Sequence, residues 1–183
     1  MGIRGVGRVS YNHANRGRSL EELLENINSL YQQKGLAMIH KVPTAWIPIR
    51  DRQGKIATAK VDRKASVDFL GAYLGRAVAF DAKYTDAKRM RWDRLEEHQR
   101  DFLDAWDAAG GISFVLVGFT LQQLYVVPWE WWRRGHERRQ AGKGMASFTT
   151  RDLSREWLVT VNRIPRDYLA VLDREEERDG EKE

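Results

Sequence analysis

Two aspartates and a lysine on neighbouring extended segments, Asp68, Asp81 and Lys83, are the residues of this chain best suited to chemistry. A Mg²⁺ site needs clustered oxygen ligands, commonly one or two carboxylates with water and phosphate in the remaining positions. Phosphodiester hydrolysis also needs a cation near the charge that develops on phosphate, and a means of orienting the attacking water. An Asp on one strand beside Asp-x-Lys on the next supplies these parts, because residues i and i+2 of a strand share a face. Asp81 and Lys83 then point the same way. Ala82 offers a backbone carbonyl, and Asp68 meets Asp81 from the partner strand.

Asp-x-Lys alone is a weak signal, since it also occurs at Asp62-Arg63-Lys64 and Asp86-Ala87-Lys88. Only the copy at Asp81 ends an apolar strand, Ala77-Val78-Ala79-Phe80. Charged side chains there need partners, because burying an ionised group unpaired is costly. The same spacing also suits a plain ion pair of Asp81 with Lys83 or Arg76, and spacing alone leaves both readings open. Glu21, on the polar face of the first helix, could add a carboxylate, although such residues are commonly just solvated. Gln99 interrupts an apolar helical stripe, so its amide wants a buried partner. Lys83, a phosphate or a backbone carbonyl would serve.

Other chemistries fare worse. The histidines, at 13, 40, 98 and 136, lack metal-ligand spacing, and there is no cysteine. No Gly-x-Ser-x-Gly elbow occurs, and Gly2, Gly5 and Gly7 precede no strand-to-helix turn of a phosphate-binding loop.

These residues need elements to place them. Ser19 and Glu22 form a capping box that predicts a helix from Ser19 to Lys34-Gly35, with Leu20, Leu23, Leu24, Ile27, Leu30 and Tyr31 on one face. Leu36–His40 reads as a strand. Residues 44–64 read as a basic hairpin turning at Asp51–Gly54. A second hairpin pairs Val67–Leu70 with Ala77–Lys83 around Gly71 and Gly75. A helix follows over Asp93–Ala109, capped by Asp93 and Glu96, then a strand buried on both faces, Ile112–Phe119, and another at Leu124–Val127. Arg133–Gly144 reads as a mobile loop, and Leu153–Leu172 as a last helix or an irregular docking segment. The order implies an α/β fold with a mixed central sheet.

The length, 183 residues, suits one domain, here 1–172, with a basic arm at 1–18 and a charged tail at 173–183 expected to be disordered. That tail holds seven acidic and three basic residues, net −4, so the net charge of +5 leaves +9 on the rest. A basic body suits a polyanion such as nucleic acid. The longest apolar run is too short to span a bilayer, and nothing reads as a secretion signal, so no membrane partner and a cytoplasmic, nucleoid-associated location are expected.

Six segments together resemble RecU-type Holliday junction resolvases, a family of the PD-(D/E)xK nuclease superfamily. Asn15-Arg16-Gly17-Arg18-Ser19-Leu20-Glu21-Glu22 is similar to the family's opening Asn-Arg-Gly-x-x-Leu-Glu. Ile39-His40-Lys41-Val42-Pro43-Thr44 is similar to its Ile-His-Lys-x-Pro-Thr. Ser66-Val67-Asp68-Phe69-Leu70-Gly71 resembles Thr-x-Asp-(Tyr/Phe)-x-Gly, Phe80-Asp81-Ala82-Lys83 resembles Phe-Glu-Ala-Lys, and His98-Gln99 matches a His-Gln in the next helix. Ile112–Thr120 is similar to the family's buried strand. Asp81 stands where the family more usually has Glu, which shortens that ligand by one methylene.

The resemblance implies a restriction-endonuclease-like core with helices flanking the sheet and the hairpin 44–64 projecting as a stalk into the junction centre. It implies a homodimeric endonuclease that resolves four-way DNA junctions by paired symmetric nicks, with recombination proteins as further partners. Mg²⁺, for which Mn²⁺ could substitute, would be held by Asp68, Asp81, the Ala82 carbonyl and Glu21. Lys83 would act on water and phosphate with Gln99 behind it. Arg4, Arg8, Arg16, Arg18, Lys41, Arg50, Arg52, Lys55, Lys60, Arg63 and Lys64 would contact DNA. The alternatives are a related nuclease for other branched DNA and a non-catalytic junction-binding accessory protein.

Overall fold

A computed structural model describes residues 11–180. Arg4 and Arg8, expected to contact DNA, lie outside the described residues. Helix α1 spans Tyr11–Gln33, so it starts upstream of the expected cap. Ser19 lies inside the helix, because no proline interrupts Tyr11–Arg18 and nothing else there competes with a continuous backbone ladder. Arg16 and Arg18 of the expected irregular arm therefore lie within α1. Gly35 ends the turn after α1 with φ of 65°.

Strand β1 is Ala37–Lys41, then β2, Ala45–Arg50, and β3, Ile56–Arg63, form a two-stranded sheet of their own. This is the expected hairpin. Its turn is tied by the Asp51 carboxylate, which accepts from Gln53 N at 2.8 Å and Lys55 N at 3.0 Å. Strands β4, Phe69–Tyr73, and β5, Arg76–Tyr84, make the second hairpin, with Leu74 and Gly75 both at positive φ. Two such residues in succession suit the right-handed twist of paired strands.

A two-residue strand, β6 (Met90–Arg91), leads into a 3₁₀ turn at Trp92–Arg94, and helix α2 is Glu97–Ala108. The expected start at Asp93 is corrected: Asp93 sits in the 3₁₀ turn and Glu96 is the residue before the helix. Strands β7, Ile112–Thr120, and β8, Gln123–Pro128, complete a five-stranded sheet ordered β1-β4-β5-β7-β8, parallel only between β5 and β7.

Side chains alternate across this sheet into two cores. Phe80, Phe114, Leu116 and Val126 meet Leu20, Leu24, Ile27 and Tyr31 of α1 on one face. Ala79, Val115, Val117 and Val127 meet Leu95 and Leu103 on the other. Phe69, Phe80 and Phe114 stack across three strands with ring centroids 4.9 and 4.6 Å apart. Each such buried side chain contributes roughly 1.5–3 kcal/mol. The mixed sheet flanked by helices matches the expected fold class.

The segment expected to be a mobile loop is instead largely helix α3, Trp129–Gln140. Trp129 and Trp132 bury one face of it. Gly135 suggested a loop, but a Cβ there would lie 2.3 Å from the Trp92 ring, so this glycine is what lets α3 approach Trp92. Strand β9, Ser147–Phe148, pairs with β6. The chain up to Tyr168 is then mostly irregular and docked, as one of the two readings of Leu153–Leu172 had it. Buried Asp167 accepts from Tyr31 Oη at 2.9 Å and Arg163 Nε at 2.7 Å, and Tyr168 Oη donates to Asn28 Oδ1 at 2.6 Å. Helix α4, Leu169–Gly180, carries into the tail expected to be disordered. The Leu169–Leu172 turn is anchored in the core, and the Glu and Arg residues after it are good helix formers that extend a helix already begun. No helix among the described residues is long and apolar enough to cross a membrane.

At Gly71 the β1 backbone comes so close that a Cβ would lie 2.0 Å from the Met38 carbonyl oxygen and 2.7 Å from Ile39 Cα. Gly71→Ala should therefore cost about 1–3 kcal/mol or more, read as a lower denaturation midpoint, because the obstacle is backbone and cannot rotate away.

Candidate active site

Strand β5 carries Asp81 into the core and Lys83 to its edge. Asp81 is fully buried, whereas the Lys83 side chain is 13% exposed. The two share a face, as the two-residue period requires, and they form an ion pair between Asp81 Oδ2 and Lys83 Nζ. The plain ion pair that spacing allowed is thus made. That ion pair is the contact Oδ2 makes, and no further hydrogen-bond donor reaches this buried oxygen. Oδ1 accepts from Gln99 Nε2 at 2.5 Å.

Asp68 comes from the residue before β4. The register pairs Phe69 with Phe80, so one step further sets Asp68 opposite Asp81. Its Oδ2 accepts from Ala82 N at 2.9 Å, which fixes the carboxylate against the next strand. Burial pushes the Asp81 carboxyl up to about 7; the Lys83 ammonium opposes that rise, and the Asp68 carboxylate adds to it.

Gln99 links these groups to α2. Its Oε1 accepts from Glu96 N at 3.0 Å, closing the first turn of the helix, and from Lys83 Nζ at 3.4 Å. One amide thus caps a helix, holds Asp81 and steadies Lys83. The break in the apolar stripe has its physical explanation here, and Lys83, one of the partners considered, is the one the structure supplies.

A cleft of about 240 Å³ opens over this corner, lined by Glu21, Asp68, Ala82, Lys83 and also by Leu20, Tyr84 and Arg94. Larger hollows, of about 540 and 780 Å³, lie by Trp131 and beside loop residues 86–89, and neither touches Asp68, Asp81 or Lys83. Glu21 is in the cleft wall, but Lys41 Nζ holds its carboxylate at 2.8 Å and that of Glu25 at 2.9 Å. Tyr84 and Arg94 were missed by sequence reasoning. Arg94 falls at the start of the helix expected over Asp93–Ala109 but sits in the 3₁₀ turn, between buried Trp92 and Leu95, and a basic residue between two apolar anchors is the one signal that marked it.

Among the described residues no three acidic or histidine side chains converge as a ready-made metal cage. Two facing carboxylates, one of them buried with an oxygen that meets only the Lys83 ammonium, do fit a hard divalent cation that keeps most of its positions for water and phosphate.

The basic residues expected to meet DNA are placed differently from one another. Arg52, Lys55 and Lys60 are exposed on the hairpin. Arg50 Nη1 donates to the Gly54 carbonyl at 2.8 Å and braces the turn. Lys64 pairs with Glu96 at the start of α2. Arg63 lies at the end of β3.

Residues 15–174 match the family model described as Recombination protein U. A Holliday junction resolvase RecU of Streptococcus sanguinis (strain SK36) is 34% identical, covering 73% of this chain and 70% of its own length. That of Geobacillus kaustophilus (strain HTA426) is 31% identical, covering 91% and 87%. A solved structure of Archaeoglobus fulgidus Hjc, a Holliday junction resolvase, aligns with a TM-score of 0.39 at 10% identity, over 60% of this chain and 76% of that one.

The raised pKa of Asp81 has a consequence for stability. An unfolded Asp titrates near 3.9, as is usual. Between about pH 4 and 7 the folded state therefore binds one more proton than the unfolded state, and metal-free stability attributable to this group falls as pH rises. Thermal denaturation in EDTA should show the parent losing stability relative to Asp81→Asn from pH 5 to pH 8. Parallel curves would place the Asp81 pKa at an ordinary value.

Proposed function

Since the chain belongs to the Recombination protein U family, we propose that it is a structure-selective endonuclease that resolves four-way DNA junctions. The observation that carries this reading is the buried Asp81, held between Lys83 and Gln99 behind a cleft whose wall includes Asp68, Ala82 and Lys83. A pure DNA binder has no use for so costly an arrangement, since a buried carboxylate needs compensation that an apolar residue does not. The substrate comes from the named relatives, together with a body of net charge +9 and exposed cations on a hairpin that forms its own small sheet.

The division of work follows from position. Asp68, Asp81 and the Ala82 carbonyl would hold Mg²⁺ or Mn²⁺, with Glu21 becoming available if Lys41 releases it. The cation would supply Lewis-acid charge to the phosphate. Lys83, at the rim, neutralises the charge that grows on the phosphoryl oxygens as water adds to phosphorus and one P–O bond breaks. Gln99 keeps Lys83 and Asp81 in register by holding both from α2. Arg52, Lys55 and Lys60 take phosphates, so binding weakens steeply with salt. The working form is a homodimer, in which each protomer nicks one strand.

Incubation of a labelled synthetic four-way junction with Mg²⁺, beside an EDTA control, should give paired symmetric nicks. Lys83→Ala should bind the junction as the parent does, yet cleave it on the order of a hundredfold more slowly. Tight binding with no cleavage in either Mg²⁺ or Mn²⁺ would instead favour the accessory-protein reading. Faster cutting of a flap or plain duplex would make the chain a nuclease for other DNA.

A further inference from the structure

The cleft over Asp68 has a second cation in its wall. Arg94 projects from the 3₁₀ turn Trp92–Arg94, and its Nη2 donates to the Tyr84 carbonyl at 3.3 Å, so it reaches from the α2 side to the residue after Lys83 on β5. The turn beneath it is fixed on both sides. Trp92 is buried and its Nε1 donates to the Met145 carbonyl at 2.9 Å. Leu95 is buried, and its carbonyl accepts from Arg100 Nη1 at 2.6 Å.

The two cations of the cleft are not equivalent. Lys83 is mostly buried and already engaged by Asp81 and Gln99. Arg94 is exposed, and among the described residues no carboxylate pairs with it. A guanidinium presents five N–H donors in a planar fork that matches two oxygens of a phosphate. The bond to Tyr84 uses one donor and orients the rest without neutralising the charge. Holding one carbonyl at 3.3 Å is slight work for a cation mounted on so rigid a turn.

We propose that Arg94 grips the non-bridging oxygens of the phosphodiester that is cut. Water adds to phosphorus and gives up a proton to solvent, the bond to the leaving oxygen breaks, and that oxygen takes a proton from solvent. Arg94 donates hydrogen bonds throughout and transfers no proton. The assignment rests on the nuclease reading above and adds to it a phosphate contact that Lys83, tied to Asp81, is poorly placed to make alone.

The test compares the parent, Arg94→Ala and Arg94→Lys, each shown to be folded by circular dichroism, with a labelled four-way junction. Binding is measured in EDTA as a function of KCl, and single-turnover nicking in Mg²⁺. Arg94→Ala should lower the slope of log affinity against log salt by about one, the loss of one phosphate contact. It should slow nicking on the order of a hundredfold. Arg94→Lys should keep the slope and recover part of the rate, because it restores the charge but not the fork. An unchanged slope overturns the proposal whatever happens to the rate, since a residue that only braces Tyr84 would leave the salt dependence alone. A parent that binds but nicks nothing in Mg²⁺ or Mn²⁺ defeats the nuclease reading, and the salt slope still decides whether Arg94 touches phosphate. A parent that does not bind defeats both.

Discussion

A fully buried carboxylate within a core strand is the constraint on which this structure turns. Asp81 lies in the sheet between the two apolar layers, where an ionised group survives only with partners of opposite charge and good hydrogen bonds. Lys83 supplies the charge and Gln99 the hydrogen bond. Because Gln99 also closes the first turn of α2, the position of that helix and the state of Asp81 are one problem. The remaining anchors of that corner follow the same logic. His98 Nε2 lies 3.1 Å from the Ala65 carbonyl and Lys64 pairs with Glu96, so the base of the basic hairpin is fastened to the turn that holds Lys83.

The same charges explain why a basic sequence is not uniformly a DNA-binding surface. Lys41 and Lys64 are consumed by acidic neighbours, and Arg50 by its own turn, whereas Arg52, Lys55 and Lys60 remain in solvent. An exposed ion pair contributes little to stability, so a phosphate can displace a partner such as Glu21 at small cost.

How much of this was legible in the sequence depended on the period of the signal. Asp81 and Lys83 fell on one face, and Asp68 opposite them, because a strand alternates strictly and a hairpin sets its own register. Gln99 stood out because it broke an apolar stripe. The helix α3 was misread because the reason for Gly135 is the ring of Trp92, a contact with no trace in local spacing. The starts of α1 and α2 were misplaced for a related reason: Ser19 and Asp93 have the chemistry of caps but are not used as such. Arg94 carried no periodic mark, and its place in the cleft is set by tertiary anchors on either side.

The central claim is that Asp68 and Asp81 form a divalent cation site with Lys83 beside it rather than in it. Calorimetric titration of Mn²⁺ into the metal-free protein tests this directly, without DNA and without turnover. The account predicts one cation bound per chain by the parent, loss of that binding in Asp81→Asn, and retention of it in Lys83→Ala, where removal of a neighbouring positive charge should strengthen it. Equal binding by the parent and Asp81→Asn would contradict the account, because the buried carboxylate would then serve only the ion pair.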